Sequence, residues 1–151
     1  MPEFHDSYPQ VSLQLRLSDH LIDLLSEAVD LAIRLAVLPD STLISRKIVD
    51  CERLFCAAPG YLEARGTPKT PNDLMKHDCL LLRFPGSRQY RWTLQTARGP
   101  LTLSVQGGFD ADDGDLLPDW ALMGRGIAMK PLWEVAEHLR GDYISVYVPT
   151  T

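Results

Sequence analysis

Cysteine and histidine are scarce in this 151-residue chain, three and four residues, and basic residues are fewer than acidic ones; each shortage narrows the classes of function. An odd number of thiols, Cys51, Cys56 and Cys79, builds no disulfide framework and suits a reducing compartment. Cys51-x4-Cys56 and His77-x-Cys79 lack the close pairs of structural zinc motifs, so no metal is expected, and Cys56 and Cys79 read as small core hydrophobes. Basic residues are outnumbered, 15 Lys and Arg against 20 Asp and Glu, for a formal net charge of -5. Without a basic stripe to meet phosphates, this segment is not expected to bind nucleic acid by itself. No apolar run approaches the roughly 20 residues needed to span a bilayer, and no charged-then-apolar leader follows Met1. No membrane partner is expected, and the expected location is the cytoplasm. The chain has neither a nucleophile elbow nor a glycine-rich phosphate loop; Ser18, His20 and Asp23 share one short helical stretch, and His77 and His138 stand alone. No catalytic residue, enzyme activity or cofactor is therefore expected.

What remains is a globular composition, 45% hydrophobic and 23% charged, sufficient for one sizeable core or two small ones. Residues 11–35 have the pattern of a β-α-β unit. Val11, Leu13, Leu15 and Leu17 alternate with Ser12, Gln14 and Arg16 at period two, which predicts a strand over 11–17. Ser18 can cap a helix whose apolar positions are Leu21, Ile22, Leu25 and Ala28, and a short apolar strand is expected over 31–35. Ligands in open α/β sheets sit at the carboxyl ends of strands, which makes Ser18, Asp19 and Arg34 binding candidates. Simple helix capping by Ser18 and a structural ion pair from Arg34 are the plainer alternatives.

Further along, strands are expected at 43–49 and 53–57. Pro59 suits the first position of a helix closing at Gly66, and Thr70-Pro71-Asn72-Asp73 repeats the device with a Thr cap. A strand at 79–82 precedes a hairpin, 90–95 with 101–105, turning at Ala97-Arg98-Gly99-Pro100. Then come a helix near 117–123, a strand at 127–129, a helix over 131–139 and a strand over 143–148. The loop Asp110-Ala111-Asp112-Asp113-Gly114-Asp115 fails as a calcium loop, because its glycine and distal acid are misplaced. Its aspartates suit helix capping better, with Pro118 expected at the first helical position.

Several motifs occur in a familiar order: Leu38-Pro39-Asp40-Ser41, Cys56-Ala57-Ala58-Pro59-Gly60-Tyr61-Leu62, Gly66-Thr67-Pro68, Thr70-Pro71-Asn72-Asp73-Leu74, His77-Asp78-Cys79-Leu80 and Gly124-Arg125-Gly126-Ile127-Ala128. In these the chain resembles the effector-binding domain of LysR-type transcriptional regulators over nearly its whole length. The resemblance implies an α/β, two-lobed, periplasmic-binding-protein-like (type 2) fold, with residues 1–50 a partial first subdomain and 51–151 the second. It also implies a small-molecule effector in the cleft between lobes, homodimers or tetramers, and DNA contact only through a winged helix-turn-helix absent from this chain. The expectation is a piece of a longer regulator with an incomplete first lobe. In the family the aspartate loop faces the cleft, which adds Asp112 and Asp113 to the candidates. With Arg34 on one side and aspartates on the other, the effector expected is a carboxylate or a zwitterion. A stand-alone solute-binding protein of the same fold is the alternative, and self-association through unpaired sheet edges a third reading.

Overall fold

A computed structural model describes residues 2–20, 22–35, 43–83 and 90–147. Their elements are α1 (Pro2–Ser7), β1 (Arg53–Ala57), α2 (Pro59–Arg65), a 3-10 turn (Pro71–Lys76), β2 (Leu81–Leu82), β3 (Arg91–Thr96), β4 (Gly99–Ser104), β5 (Asp110–Ala111), α3 (Leu116–Leu122), β6 (Ala128–Pro131), α4 (Leu132–Arg140) and β7 (Ser145–Tyr147).

β1 is central because four of its five residues are buried, as a strand covered on both faces requires. It pairs antiparallel with β6 on one side and β7 on the other. β2 runs parallel to β5, and a parallel bridge between Cys79 and Ile127 links that pair to the β6 side of the sheet. Period-two alternation then sorts side chains into two cores. Phe55, Ala57, Cys79, Leu81 and Ile127 face α2, the 3-10 turn and the β3–β4 hairpin. Leu54, Cys56, Leu80 and Ala128 face Leu117 and Ala121 of α3 and Val135 of α4.

Local grammar fixes the element ends. Pro59 opens α2, and Gly66 closes it at φ 82°, where an L side chain is disfavoured. Thr70 and Asp73 form a reciprocal capping box, with the Thr70 N–H donating to Asp73 Oδ2 at 2.9 Å. That bond and the Thr70 hydroxyl hold the Asp73 carboxyl down to about 2. In the hairpin, Trp92 faces Leu103 and Leu94 faces Leu101 on the core side, while the Thr93 and Thr102 hydroxyls meet at 2.9 Å on the outer side.

The predicted β-α-β unit does not form. Residues 11–17, 31–35 and 43–49 are in no strand, the helix expected over 18–28 is reduced to a turn at 24–28, and Leu21 lies outside the described residues. Leu17 is 95% exposed and Ile44 102%. A period-two pattern says which face a strand would bury, but the strand exists only when a neighbour takes up its N–H and C=O groups, and even a lone hairpin is marginal in water. Among the described residues no strand lies beside these segments. The last strand is shorter than the expected 143–148, and Val148 lies outside the described residues.

Candidate functional site

Asp19 sits in a bend, and its Oδ2 accepts the N–H of Gly114 at 2.6 Å across 95 residues of chain. Gly114 belongs to the loop between β5 and α3 and is buried. Its carbonyl accepts from Lys130 Nζ at 2.9 Å, and Lys130 also pairs with Glu134, in the first turn of α4. Lys130 is only 7% exposed, and those two partners are what makes burial of an ammonium tolerable. A Cβ placed on Gly114 would lie 3.1 Å from Asp19 Oδ2 and 3.5 Å from Lys130 Nζ, so carboxylate and ammonium flank one glycine.

The other sequence-predicted residues divide. Ser18 Oγ accepts the His20 N–H at 3.0 Å, a local turn bond. Arg34 donates to the Ile22 carbonyl, within its own segment. Asp113 Oδ1 accepts the Asp115 N–H at 2.9 Å, while Asp112 is exposed in the same loop. α3 starts at Leu116, which makes Pro118 its third residue, where the missing N–H removes no intrahelical bond. The first-position placement expected for Pro118 is thus corrected by two residues. Asp19 and the aspartate loop are brought together, whereas the bonds of Ser18 and Arg34 stay within their own segment. Lys130, Gly114 and Glu134 were missed by sequence reasoning, although a lysine inside the apolar run Ile127-Ala128-Met129 with an acid four residues later was a readable signal.

An open cleft of about 620 Å³ lies elsewhere, lined by Tyr61, Arg65, Asp78, Phe109 and Arg125 among others, and by none of the five predicted residues. Arg65 and Asp78 pair across it at 3.6 Å, and the Tyr61 hydroxyl accepts the Asp78 N–H at 3.0 Å. Burial pushes the Tyr61 hydroxyl up and the His77 imidazole down.

No group of three or more His, Cys, Asp or Glu able to hold a metal occurs among the described residues. Burial raises the thiols of Cys56 and Cys79 to about 12, which keeps them protonated and inert at neutral pH. In the native protein at pH 8, a disulfide reagent is expected to modify the half-exposed Cys51 quickly and the other two only after denaturant is added. Fast modification of all three thiols in native buffer would contradict the packing described.

Residues 1–150 match a family model described as the LysR substrate binding domain. Among curated proteins, the regulator DmlR of Escherichia coli K12 is 32% identical over 95% of this chain and 47% of its own. A regulator from Haemophilus influenzae is 36% identical over 87% of this chain and 45% of its own. The chain thus spans about half the length of the curated relatives it matches. Among solved structures, the regulatory domain of CrgA from Neisseria meningitidis aligns with a TM-score of 0.74 at 30% identity, over 96% of this chain and 70% of that one. The full-length Vibrio cholerae virulence activator AphB aligns with 0.77 at 27%, over 96% and 49%. The fold is the type 2 periplasmic-binding-protein-like one, and the relatives carry the names of transcriptional regulators, not of enzymes.

Proposed function

Because the chain belongs to the LysR substrate-binding domain family, we propose that it senses a small organic effector, a carboxylate or zwitterion, between its first 50 residues and the loop at 110–115. The single observation that supports this is the bond from Gly114 to Asp19, which sets one end of the predicted first lobe against the aspartate loop. Ser18, Asp19 and Arg34 form one side of the site and Asp112 and Asp113 the other. In the intact regulator, effector binding shifts the population between arrangements of the two lobes, and so the spacing of DNA-binding domains in a dimer or tetramer. DNA is reached through a winged helix-turn-helix outside this span, and the location is the cytoplasm. The solute-binding alternative is disfavoured, since the relatives are named as regulators.

Calorimetric titration of the protein with a panel of short mono- and dicarboxylic acids and amino acids, beside thermal melts, tests the proposal. One acid is expected to bind with one site per chain, and Arg34→Ala to weaken it by about 1.5–3 kcal/mol if the guanidinium makes a charge-assisted bond. Unchanged affinity with a lowered melting temperature would move Arg34 to the scaffold, a role worth about 0–1 kcal/mol.

A further inference from the structure

We propose that the cleft lined by Tyr61, Arg65, Phe109 and Arg125 is a second ligand site, at the opposite end of the sheet from the aspartate loop, and that it takes a monocarboxylate carried on a flat aromatic body. Strand directions separate the two places. β2 and β5 run parallel, and Cys79 bridges Ile127 in the same sense, so Asp78, Phe109 and Arg125 all stand where parallel strands begin. The loop at 112–115 follows β5, and Lys130 lies near the end of β6. From Arg125 to Lys130 the chain advances about 15 Å at the rise of an extended strand. No residue of 1–50 lines this cleft, so the site stands apart from the effector reading above.

In a chain of net charge -5 this cleft gathers cations. Arg65, in the last turn of α2, and Arg125, in the turn after α3, both line it against the single carboxylate of Asp78. Asp78 stands 3.6 Å from Arg65, beyond a hydrogen bond, with both side chains wet, so the pair is weak and the guanidinium keeps donors to spare. Among the described residues Arg125 has no carboxylate partner. Two guanidiniums less one carboxylate leave one positive charge, which suits a monoanion. Glycines put Arg125 there: Gly124 takes φ 69°, and a Cβ on Gly126 would lie 2.3 Å from the Asp78 carbonyl oxygen. The Asp78 backbone is itself held, its N–H by the Tyr61 hydroxyl at 3.0 Å and its carbonyl by the Ile127 N–H at 2.8 Å. Such a preset pair of forks matches a carboxylate better than mobile side chains would. Apolar walls supply the rest. Phe109 is 39% exposed and Met123 67%, an aromatic edge and a thioether that an aryl ring would cover. The volume of about 620 Å³ falls in the range of small-molecule sites.

Two glycines report on the two ends. Gly124, in the cleft, is the one glycine of the ten that follows a methionine, and Gly114, in the aspartate loop, is the one that follows an aspartate. Carbon-13 at Met or Asp carbonyls with nitrogen-15 at Gly amides therefore isolates either signal in the whole 151-residue chain. Cinnamate is expected to shift Gly124 saturably and to leave Gly114 unmoved, and cinnamamide, the same body without the charge, to bind far more weakly. Arg125→Met is expected to weaken cinnamate about tenfold, the loss of one charge-assisted contact. Gly108 lines the cleft with a backbone outside the left-handed region, and a Cβ there meets nothing within 4 Å. Gly108→Leu is thus expected to fill the cleft and abolish the shift in a folded protein, whereas Arg34→Ala leaves it intact. The remaining glycine amides show that each variant is folded. An unmoved Gly124, cinnamamide binding as tightly as cinnamate, or undiminished binding in Arg125→Met or Gly108→Leu overturns the proposal. Cinnamate that moves Gly114 and not Gly124 overturns it too, while the effector reading gains. If Gly124 responds and none of the acids in the effector titrations moves Gly114, the second site stands and the effector reading is what fails.

Discussion

Gly107→Ala is expected to cost about 3 kcal/mol of stability, whereas Gly108→Ala, one residue further, should stay within about 0.5 kcal/mol of the parent. The contrast comes from the sheet. The Cys79 N–H donates to the Gln106 carbonyl at 2.9 Å, which draws residue 107 against the backbone of the strand entering β2. A Cβ on Gly107 would lie 2.8 Å from the Cys79 amide nitrogen, 2.9 Å from its carbonyl carbon and closer still to its oxygen. These are backbone atoms, tied on the opposite edge by the Leu80 N–H to Ile127 O bond at 2.8 Å, so the clash cannot be relieved by a rotamer change. A Cβ on Gly108 meets nothing within 4 Å. Urea unfolding of the two variants with the parent checks the pair. Equal midpoints for Gly107→Ala and Gly108→Ala would mean that the close approach at Cys79 is absent.

The half of the fold that was legible from the sequence is the half whose signals are local. A proline three residues before Leu62 and a glycine after Arg65 bound α2, the Thr70 and Asp73 pair caps the 3-10 turn, and Ala97-Arg98 turns the hairpin, each through bonds made within a few residues. The alternation at 11–17 carried equal periodicity and produced no strand. Period two is a conditional statement about burial, and its condition is a neighbouring strand that the pattern itself does not supply. Leu31 and Ile33, the core of the expected second strand, are exposed for the same reason.

The site was legible in part, and for partly different reasons than those that singled it out. Asp19 was chosen as the end of a strand that does not form, yet it reaches Gly114 because a bend at 19–20 needs only local bonds such as that of Ser18 Oγ. Arg34 was chosen by the same rule and satisfies a carbonyl of its own segment. Lys130 escaped notice because only its local partner, Glu134 at i+4, is legible in the sequence, while its bond to the Gly114 carbonyl, 16 residues away, is not. A lysine in an apolar run reads as an exposed strand end until Gly114 and Glu134 are seen to enclose it.

Trp92→Ala is expected to be the most damaging single truncation in the hairpin, lowering stability by about 3–5 kcal/mol. Trp92 is 2% exposed, and its ring lies 5.4 Å from that of Phe55 in the central strand, at a tilt of 36°. It faces Leu103 across the hairpin, so one side chain joins β3, β4 and the main sheet. Truncation removes the transfer energy of the indole and leaves a void that Phe55, Leu103 and Val105 can only partly fill, because each is held by a strand or its immediate flank. Against a typical total of about 5–15 kcal/mol, that loss brings the domain close to unfolding. Thr93→Ala provides the control, since it removes the exposed hydroxyl contact with Thr102 on the outer face of the same strand, worth about 0.2–1 kcal/mol. Urea titrations followed by circular dichroism compare the two. A Trp92→Ala midpoint no lower than that of Thr93→Ala would show that the hairpin is not anchored to the sheet through this residue.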